Sequence, residues 1–190
     1  TWDANNWESA SSNWQIVADV DADPLGIDVG NLAGSSDKDI VVGTDTQAGS
    51  DEMRAYEHPG TSPFSSTWTA ISDLTRGSSV PVTDVTIGDM DDDGDNDVAY
   101  VITDTDTVGF SRNNGAGSFT AQSNHEFTDE TFTIGVLKTY DVDGDDDDDL
   151  VAFCTAAGTC GDEVAYLNSD GAWGWTEITV ANINFIQITD

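Results

Sequence analysis

Basic residues are almost missing from this sequence. Its 190 residues include 5 Lys and Arg against 37 Asp and Glu, which gives a formal net charge of -32 at pH 7. Such a chain repels phosphate backbones and anionic membrane surfaces, so we expect no nucleic acid as a partner and no membrane insertion. The scarcity of Lys beside abundant Asp resembles the composition of proteins from extreme halophiles, and we expect a halophilic microbial source.

Cysteine and long apolar runs are scarce too. Cys154 and Cys160 are the only cysteines, and no second pair exists to complete a four-ligand zinc site. They flank a short segment that reads as a turn between two strands. We interpret them as a cross-hairpin disulfide, with two free thiols as the alternative. No run approaches the ~20 apolar residues of a membrane span, and no signal peptide is recognisable, so we expect a mature soluble product or a fragment of one.

The sequence does contain an internal repeat of blade size. Three acidic segments, each followed by a short apolar run, begin at Asn31, Asp89 and Asp141, so the offsets are 58 residues (31 to 89) and 52 residues (89 to 141). A second series of aromatic residues, each opening a strand-like run, has a similar spacing: Trp14, Trp68, Phe119 and Trp175. Another aromatic precedes each of these on the strand before: Trp7, Tyr56, Phe110 and Tyr166.

Each unit reads as four short antiparallel strands with an acidic loop between the first two. No segment has a sustained helical period, and 37% hydrophobic residues are enough for a core. We therefore predict an all-β fold, a β-propeller of four-stranded antiparallel blades, with a β-sandwich as the alternative.

The repeat predicts one propeller domain, or a propeller fragment, over residues 1–190. The predicted parts are the last strands of one blade, three whole blades, and the first strand of a further blade: 1–25, 26–80, 81–133, 134–182 and 183–190. A fragment of a larger propeller and a homo-oligomer whose copies complete each other's terminal blades both agree with this count.

The acidic loops have the ligand pattern of a calcium site. Calcium takes six to eight oxygen ligands, which a tight loop supplies from alternate side chains and from one backbone carbonyl at position seven. Carboxylates so close together repel one another strongly without a cation. Counting Asp89 and Asp141 as position one, the predicted metal ligands at positions one, three, five, seven and nine are Asp89, Asp91, Asp93, Asp95 and Asp97, and Asp141, Asp143, Asp145, Asp147 and Asp149.

The first unit departs from this pattern, because Ala33 stands at position three and cannot bind a metal. We expect that loop to be an empty or weak site, with the candidate ligands Asn31, Ser35, Asp37 and Asp39. None of the loops is an EF-hand, since position twelve is Tyr100 or Ala152 instead of Glu and the flanking segments are strands.

With Asp at position nine and a strand on each side, these loops resemble those of the FG-GAP and VCBS repeats found in integrin α-subunits and microbial surface proteins. The resemblance covers the chain from Trp7 to Asp190. It implies a calcium-binding β-propeller outside the cell, with the Asp side chains at positions one, three, five and nine as ligands. Extracellular modules bind calcium with Kd values of about 10⁻⁴ to 10⁻³ M, so such sites fill outside a cell and stay largely empty in a cytosol.

Two function classes agree with these features. The favoured one is a non-catalytic module at the cell surface for adhesion, protein or glycan interaction, or surface assembly, in which calcium stabilises the blades. The alternative is the accessory or catalytic propeller of a polysaccharide-acting lyase or hydrolase. His58 and His125 are the only candidate bases at neutral pH and lie in no catalytic motif, so we predict that the chain is not an enzyme.

Overall fold

The computed structural model describes residues 23–45, 52–60, 67–71, 74, 80–102, 107–126, 134–154, 164–169 and 175–180. These residues form thirteen β-strands in three antiparallel sheets and include no α-helix. Within these ranges there is accordingly no helix long and apolar enough to cross a membrane. The predicted ends of the chain, 1–22 and 181–190, lie outside the described residues, as do Trp2, Trp7 and Trp14.

In each sheet the strands follow one another in chain order. Sheet one consists of β1 (Pro24–Gly30), β2 (Asp39–Thr44), β3 (Met53–Glu57) and β4 (Thr69–Ala70). Sheet two consists of β5 (Val82–Gly88), β6 (Asp97–Ile102), β7 (Thr107–Asn113) and β8 (Phe119–Ala121), with β9 (His125–Glu126) also paired to β7. Sheet three consists of β10 (Ile134–Tyr140), β11 (Asp149–Cys154), β12 (Val164–Ser169) and β13 (Trp175–Val180). The prediction of an all-β fold with four antiparallel strands per unit is confirmed.

One strand was not predicted. The register places β8 opposite the end of β7, from Ser111 to Asn113, and β9 opposite its beginning, at Thr107 and Val108. The outer edge of sheet two is therefore formed by two short strands in succession.

The core lies between the faces of neighbouring sheets. Strand β6 is buried at all six positions, and its alternate side chains belong to different cores. Val98, Tyr100 and Ile102 pack in the cluster shared with sheet one, whereas Ala99 and Val101 pack in the cluster shared with sheet three. This period-two division explains why the strand reads as one continuous apolar run, since both of its faces are covered.

The sheets contact one another most closely through their first strands. The Asp28 carboxylate on β1 accepts a hydrogen bond from the Ile87 amide on β5, at 2.9 Å. One step further, the Asp84 carboxylate on β5 accepts one from the Leu137 amide on β10, at 2.8 Å. Face-to-face sheets that meet along their first strands fit the packing of propeller blades.

The outer faces of the first and third sheets expose apolar side chains. On β1, Leu25, Ile27 and Val29 are 47%, 61% and 52% exposed. The corresponding face of β5 includes Val85, which is fully buried against sheet one. Val136 and Val142 are exposed on sheet three. The exposure of these residues follows from their place in the stack, because equivalent residues between two sheets are covered.

Candidate metal centre

Three acidic loops connect the first and second strands of the sheets: loop one (31–39), loop two (89–97) and loop three (141–149). Asp at position nine begins the second strand of each sheet and is fully buried: Asp39, Asp97 and Asp149. Its carboxylate accepts a hydrogen bond from the amide at position two, which belongs to Leu32, Met90 or Val142, at 2.8 to 3.1 Å. Position nine therefore closes the loop as well as offering a ligand.

The side chain at position five also organises the loop. The Asp95 amide donates to Asp93 Oδ1 at 3.0 Å, and the Asp147 amide donates to Asp145 Oδ1 at 3.2 Å. In loop one the hydroxyl of Ser35 accepts the equivalent bond from the Asp37 amide at 3.2 Å. These are Asx- and Ser-type turns, which hold the loop without a helix or a ladder.

Position one completes the loop in the two acidic cases. Asp89 accepts hydrogen bonds from the amides of Asp93 and Gly94, at 3.3 and 2.9 Å. Asp141 accepts from the amides of Gly144 and Asp145, at 2.7 and 3.2 Å. A carboxylate has about four lone-pair sites, so these bonds leave capacity for a cation.

The loop geometry brings positions one, three and nine together. Among the residues that the structure describes, carboxylate oxygens within 4.8 Å of one another form two groups: Asp89, Asp91 and Asp97, and Asp141, Asp143 and Asp149. Two oxygens that bind one calcium ion at 2.3 to 2.6 Å are at most about 5 Å apart. The donor atoms and their spacing therefore fit a calcium ion in loop two and another in loop three.

Burial disfavours the charged form of several of these carboxylates. Desolvation raises the pKa of Asp97 to about 7, against the opposing effect of hydrogen bonds from the Asn113 and Met90 amides; the charges of Asp91 and Asp93 raise it further. Desolvation also raises the pKa of Asp89, opposed first by the Gly94 amide. A divalent ion would supply the opposite charge that this arrangement calls for.

At position seven the two loops differ. The side chain of Asp147 is 5% exposed, and its buried Oδ1 accepts no hydrogen bond from the described residues. Desolvation, followed by the charges of Asp145 and Asp92, raises the pKa of Asp147 to about 6. The Asp95 side chain instead lies against Gly115 in the turn after β7. Neither side chain belongs to the converging groups, and the predicted ligand at this position is the backbone carbonyl.

Loop one lacks a comparable group. Asp39 donates no proton but accepts three hydrogen bonds, from the amides of Leu32, Ala33 and His58, at 2.8 to 2.9 Å. Asp37 lies 3.7 Å from the His58 ring. The oxygen atoms of Asn31 and Ser35 remain the other candidates, so the prediction that loop one is a weak site is unchanged. Cys160 and the Cys154 side chain lie outside the described residues, and the disulfide stays a prediction.

Two features of the loops were missed from the sequence. Positions four and six both adopt a left-handed backbone: Asp92 and Gly94 have φ of 52° and 84°, and Gly144 and Asp146 have 83° and 78°. The glycine that seemed displaced between the loops therefore occupies one of two equivalent left-handed positions, and Asp, which tolerates this region, occupies the other.

Position eight joins neighbouring loops. Asp148 N–H donates to the Asp89 carbonyl at 2.7 Å, and Asp148 Oδ2 accepts from the Asp89 amide at 2.9 Å. The Asn96 side chain donates to the Asn31 carbonyl at 3.0 Å. The acidic loops therefore lie side by side, each bonded to position one of the loop before it.

Residues 89–152 match the family model of the FG-GAP-like repeat. The match begins at position one of loop two and ends in β11, so it includes both groups of converging carboxylates. A search of curated proteins finds no match. FG-GAP-like repeats are generally non-catalytic and typical of extracellular modules for adhesion and interaction. Residues 89–152 thus form an FG-GAP-like repeat, and the chain is an all-β protein of the FG-GAP repeat type.

Proposed function

We propose that the chain is a non-catalytic extracellular module for adhesion, protein or glycan interaction, or surface assembly, and that calcium in loops two and three stabilises its sheets. The repeat family supports the extracellular and interaction class. The observation that supports calcium is the convergence of three carboxylates in each loop.

The role of the ion is structural. Each loop joins the two strands nearest the contact between sheets, and Asp148 bonds loop three directly to Asp89 of loop two. Neutralising the carboxylates there removes repulsion from a contact that holds two sheets together. At a free calcium concentration ten times Kd, one site stabilises the fold by about 1.4 kcal/mol.

Calorimetric calcium titration of the chelator-treated chain tests the proposal. We expect two sites with Kd of about 10⁻⁴ to 10⁻³ M. Asp91→Asn removes the site in loop two, Asp143→Asn removes the site in loop three, and the double variant removes both. Each loss lowers the melting temperature measured in calcium and leaves the value in chelator little changed.

Asp92→Asn and Asp146→Asn are matched controls. Both residues are exposed members of the same loops, outside the converging groups, and Asn tolerates their left-handed backbone. They change the net charge by the same amount as the test variants, so both sites should remain. A chain that releases no heat with calcium, or loses both sites in the controls, contradicts the proposal.

The proposed partners are a protein or glycan at a cell surface, or further copies of the chain. A glycan array and light scattering, both with calcium at high salt, test glycan binding and self-association. The alternative of a polysaccharide-acting enzyme has no specific support among the described residues: His58 accepts a hydrogen bond from the Gly60 amide and packs edge-on against Trp68. Turnover of a polysaccharide in hydrolase or lyase assays would replace our proposal with that alternative.

A further inference from the structure

Arg112, near the end of β7, contacts two carboxylates of loop two. Its Nε lies 2.6 Å from Asp91 Oδ2, and its Nη2 lies 2.9 Å from Asp93 Oδ2. The Asp91 side chain is 4% exposed and belongs to the converging group, so the guanidinium binds one of the atoms expected to hold an ion. The forked shape of Arg suits contact with two carboxylates at once.

No other sheet has a cation at this place. The register pairs position ten of each loop with the third strand of its sheet: Ile40 with Tyr56, Val98 with Ser111, and Leu150 with Leu167. Arg112 follows Ser111, and the residues equivalent to it are Glu57 in sheet one and Asn168 in sheet three. A charged guanidinium is therefore specific to loop two among the three loops.

We propose that Arg112 is a built-in counter-ion of loop two, which competes with calcium for Asp91 and Asp93. This inference rests on the proposed calcium sites. A guanidinium stays charged at all relevant pH values, so a divalent ion must displace it or share carboxylates with it at a cost in repulsion. Loop two consequently binds calcium more weakly than loop three, although its motif is the more regular, and it keeps its shape better when calcium is absent.

The test measures loop two alone, in the background of Asp143→Asn. Arg112→Gln removes the charge, and Arg112→Lys keeps it but loses the fork. We expect Arg112→Gln to tighten calcium binding at least about threefold, the scale of an exposed pair or two, and Arg112→Lys to bind with intermediate affinity. Lys138→Gln, an exposed cation on β10 of sheet three, makes the same change in net charge and should leave calcium binding by loop two unchanged.

A second measurement needs no calcium. In chelator, Arg112→Gln should lower the melting temperature, because repulsion between Asp91 and Asp93 is no longer relieved, and it should do so by more than Lys138→Gln. The combination of tighter calcium binding and lower calcium-free stability distinguishes competition from a packing role, which would weaken both. If Arg112→Gln does not fold in chelator, Arg112→Lys provides the same comparison.

The inference is overturned if two calcium sites exist but Arg112→Gln leaves the affinity of loop two unchanged or lower, or if the calcium-free melting temperature does not fall. That result leaves the proposed calcium sites intact. Absence of calcium binding by the unmodified chain overturns both the inference and the proposed function.

Discussion

The carboxylate of Asp97 is fully buried and serves both the loop and the candidate site. Oδ2 accepts a hydrogen bond from the Met90 amide, and Oδ1 accepts one from the Asn113 amide at 2.8 Å. Asp39 makes the equivalent bonds in loop one, which lacks the converging group. Aspartate at position nine is therefore needed for loop closure whether or not a cation is bound.

Calcium-free stability should depend on the protonation of Asp97. Its pKa in the folded chain, about 7, lies above the ordinary value of 3.8, so the folded chain holds a proton that the unfolded chain has lost over this interval. Stability in chelator then falls as the pH rises through about 7, whereas calcium affinity of loop two rises because the ion displaces the proton. Thermal melts and calcium titrations from about pH 5 to 8 measure both trends.

Asp97→Asn is the control for this prediction, since it retains every other titratable group and the shape of the side chain. It should bind no calcium in loop two, and its stability in chelator should vary less with pH than that of the unmodified chain. Equal pH dependence of the two chains, or a calcium affinity of loop two that is constant over this range, would refute the assignment.

At the scale of the loop, the left-handed positions set a backbone requirement that is separate from metal binding. A Cβ atom built on Gly94 has no atom within 4 Å, so substitution there causes no steric contact with the rest of the molecule. The φ of 84° at Gly94 is nevertheless unfavourable for Ala. Gly94→Ala isolates the backbone effect.

We expect Gly94→Ala to lower the free energy of unfolding by about 1 to 2 kcal/mol. Asp146→Gly should be more stable than Asp146→Asn, which removes the same charge but keeps a side chain at a φ of 78°. Denaturant unfolding in chelator measures both differences without a contribution from calcium. A Gly94→Ala variant as stable as the parent would contradict the role given to this backbone conformation.

The loops could be predicted from the sequence in part. Alternation of Asp identified the converging positions, and the shared Asp39, Asp97 and Asp149 marked the start of each second strand. The contact between Asp148 and Asp89 could not be predicted, because it depends on how two sheets pack. The pair between Arg112 and Asp91 required the register across β6 and β7, which no local pattern specifies.

At the scale of the whole molecule, the repeat period predicted the fold. Aromatic residues at blade spacing lie at equivalent places: Tyr56 on β3, Phe110 on β7 and Tyr166 on β12. Sequence periodicity specifies strands and their order well, because each antiparallel neighbour follows in the chain. The outer edge of sheet two was less predictable, since β8 and β9 are too short to show a period.

The net charge of -32 predicts strong dependence of stability on salt. Like charges on one small protein oppose the folded state, and the Debye length falls from about 10 Å at 0.1 M to about 3 Å at 1 M salt. At fixed calcium the melting temperature should rise from about 0.1 to 3 M salt, most steeply at the low end, in both NaCl and KCl. A melting temperature that does not rise would count against the proposed hypersaline source.

The central claim is that alternating Asp side chains of loops two and three converge on divalent ions. The most direct test is a crystal structure at millimolar calcium with an anomalous difference map. Our account predicts two calcium peaks about 2.3 to 2.6 Å from carboxylate oxygens, one bound by Asp89, Asp91 and Asp97 and one by Asp141, Asp143 and Asp149. Well-ordered loops with no peak at either position, and carboxylates turned toward solvent, would contradict it.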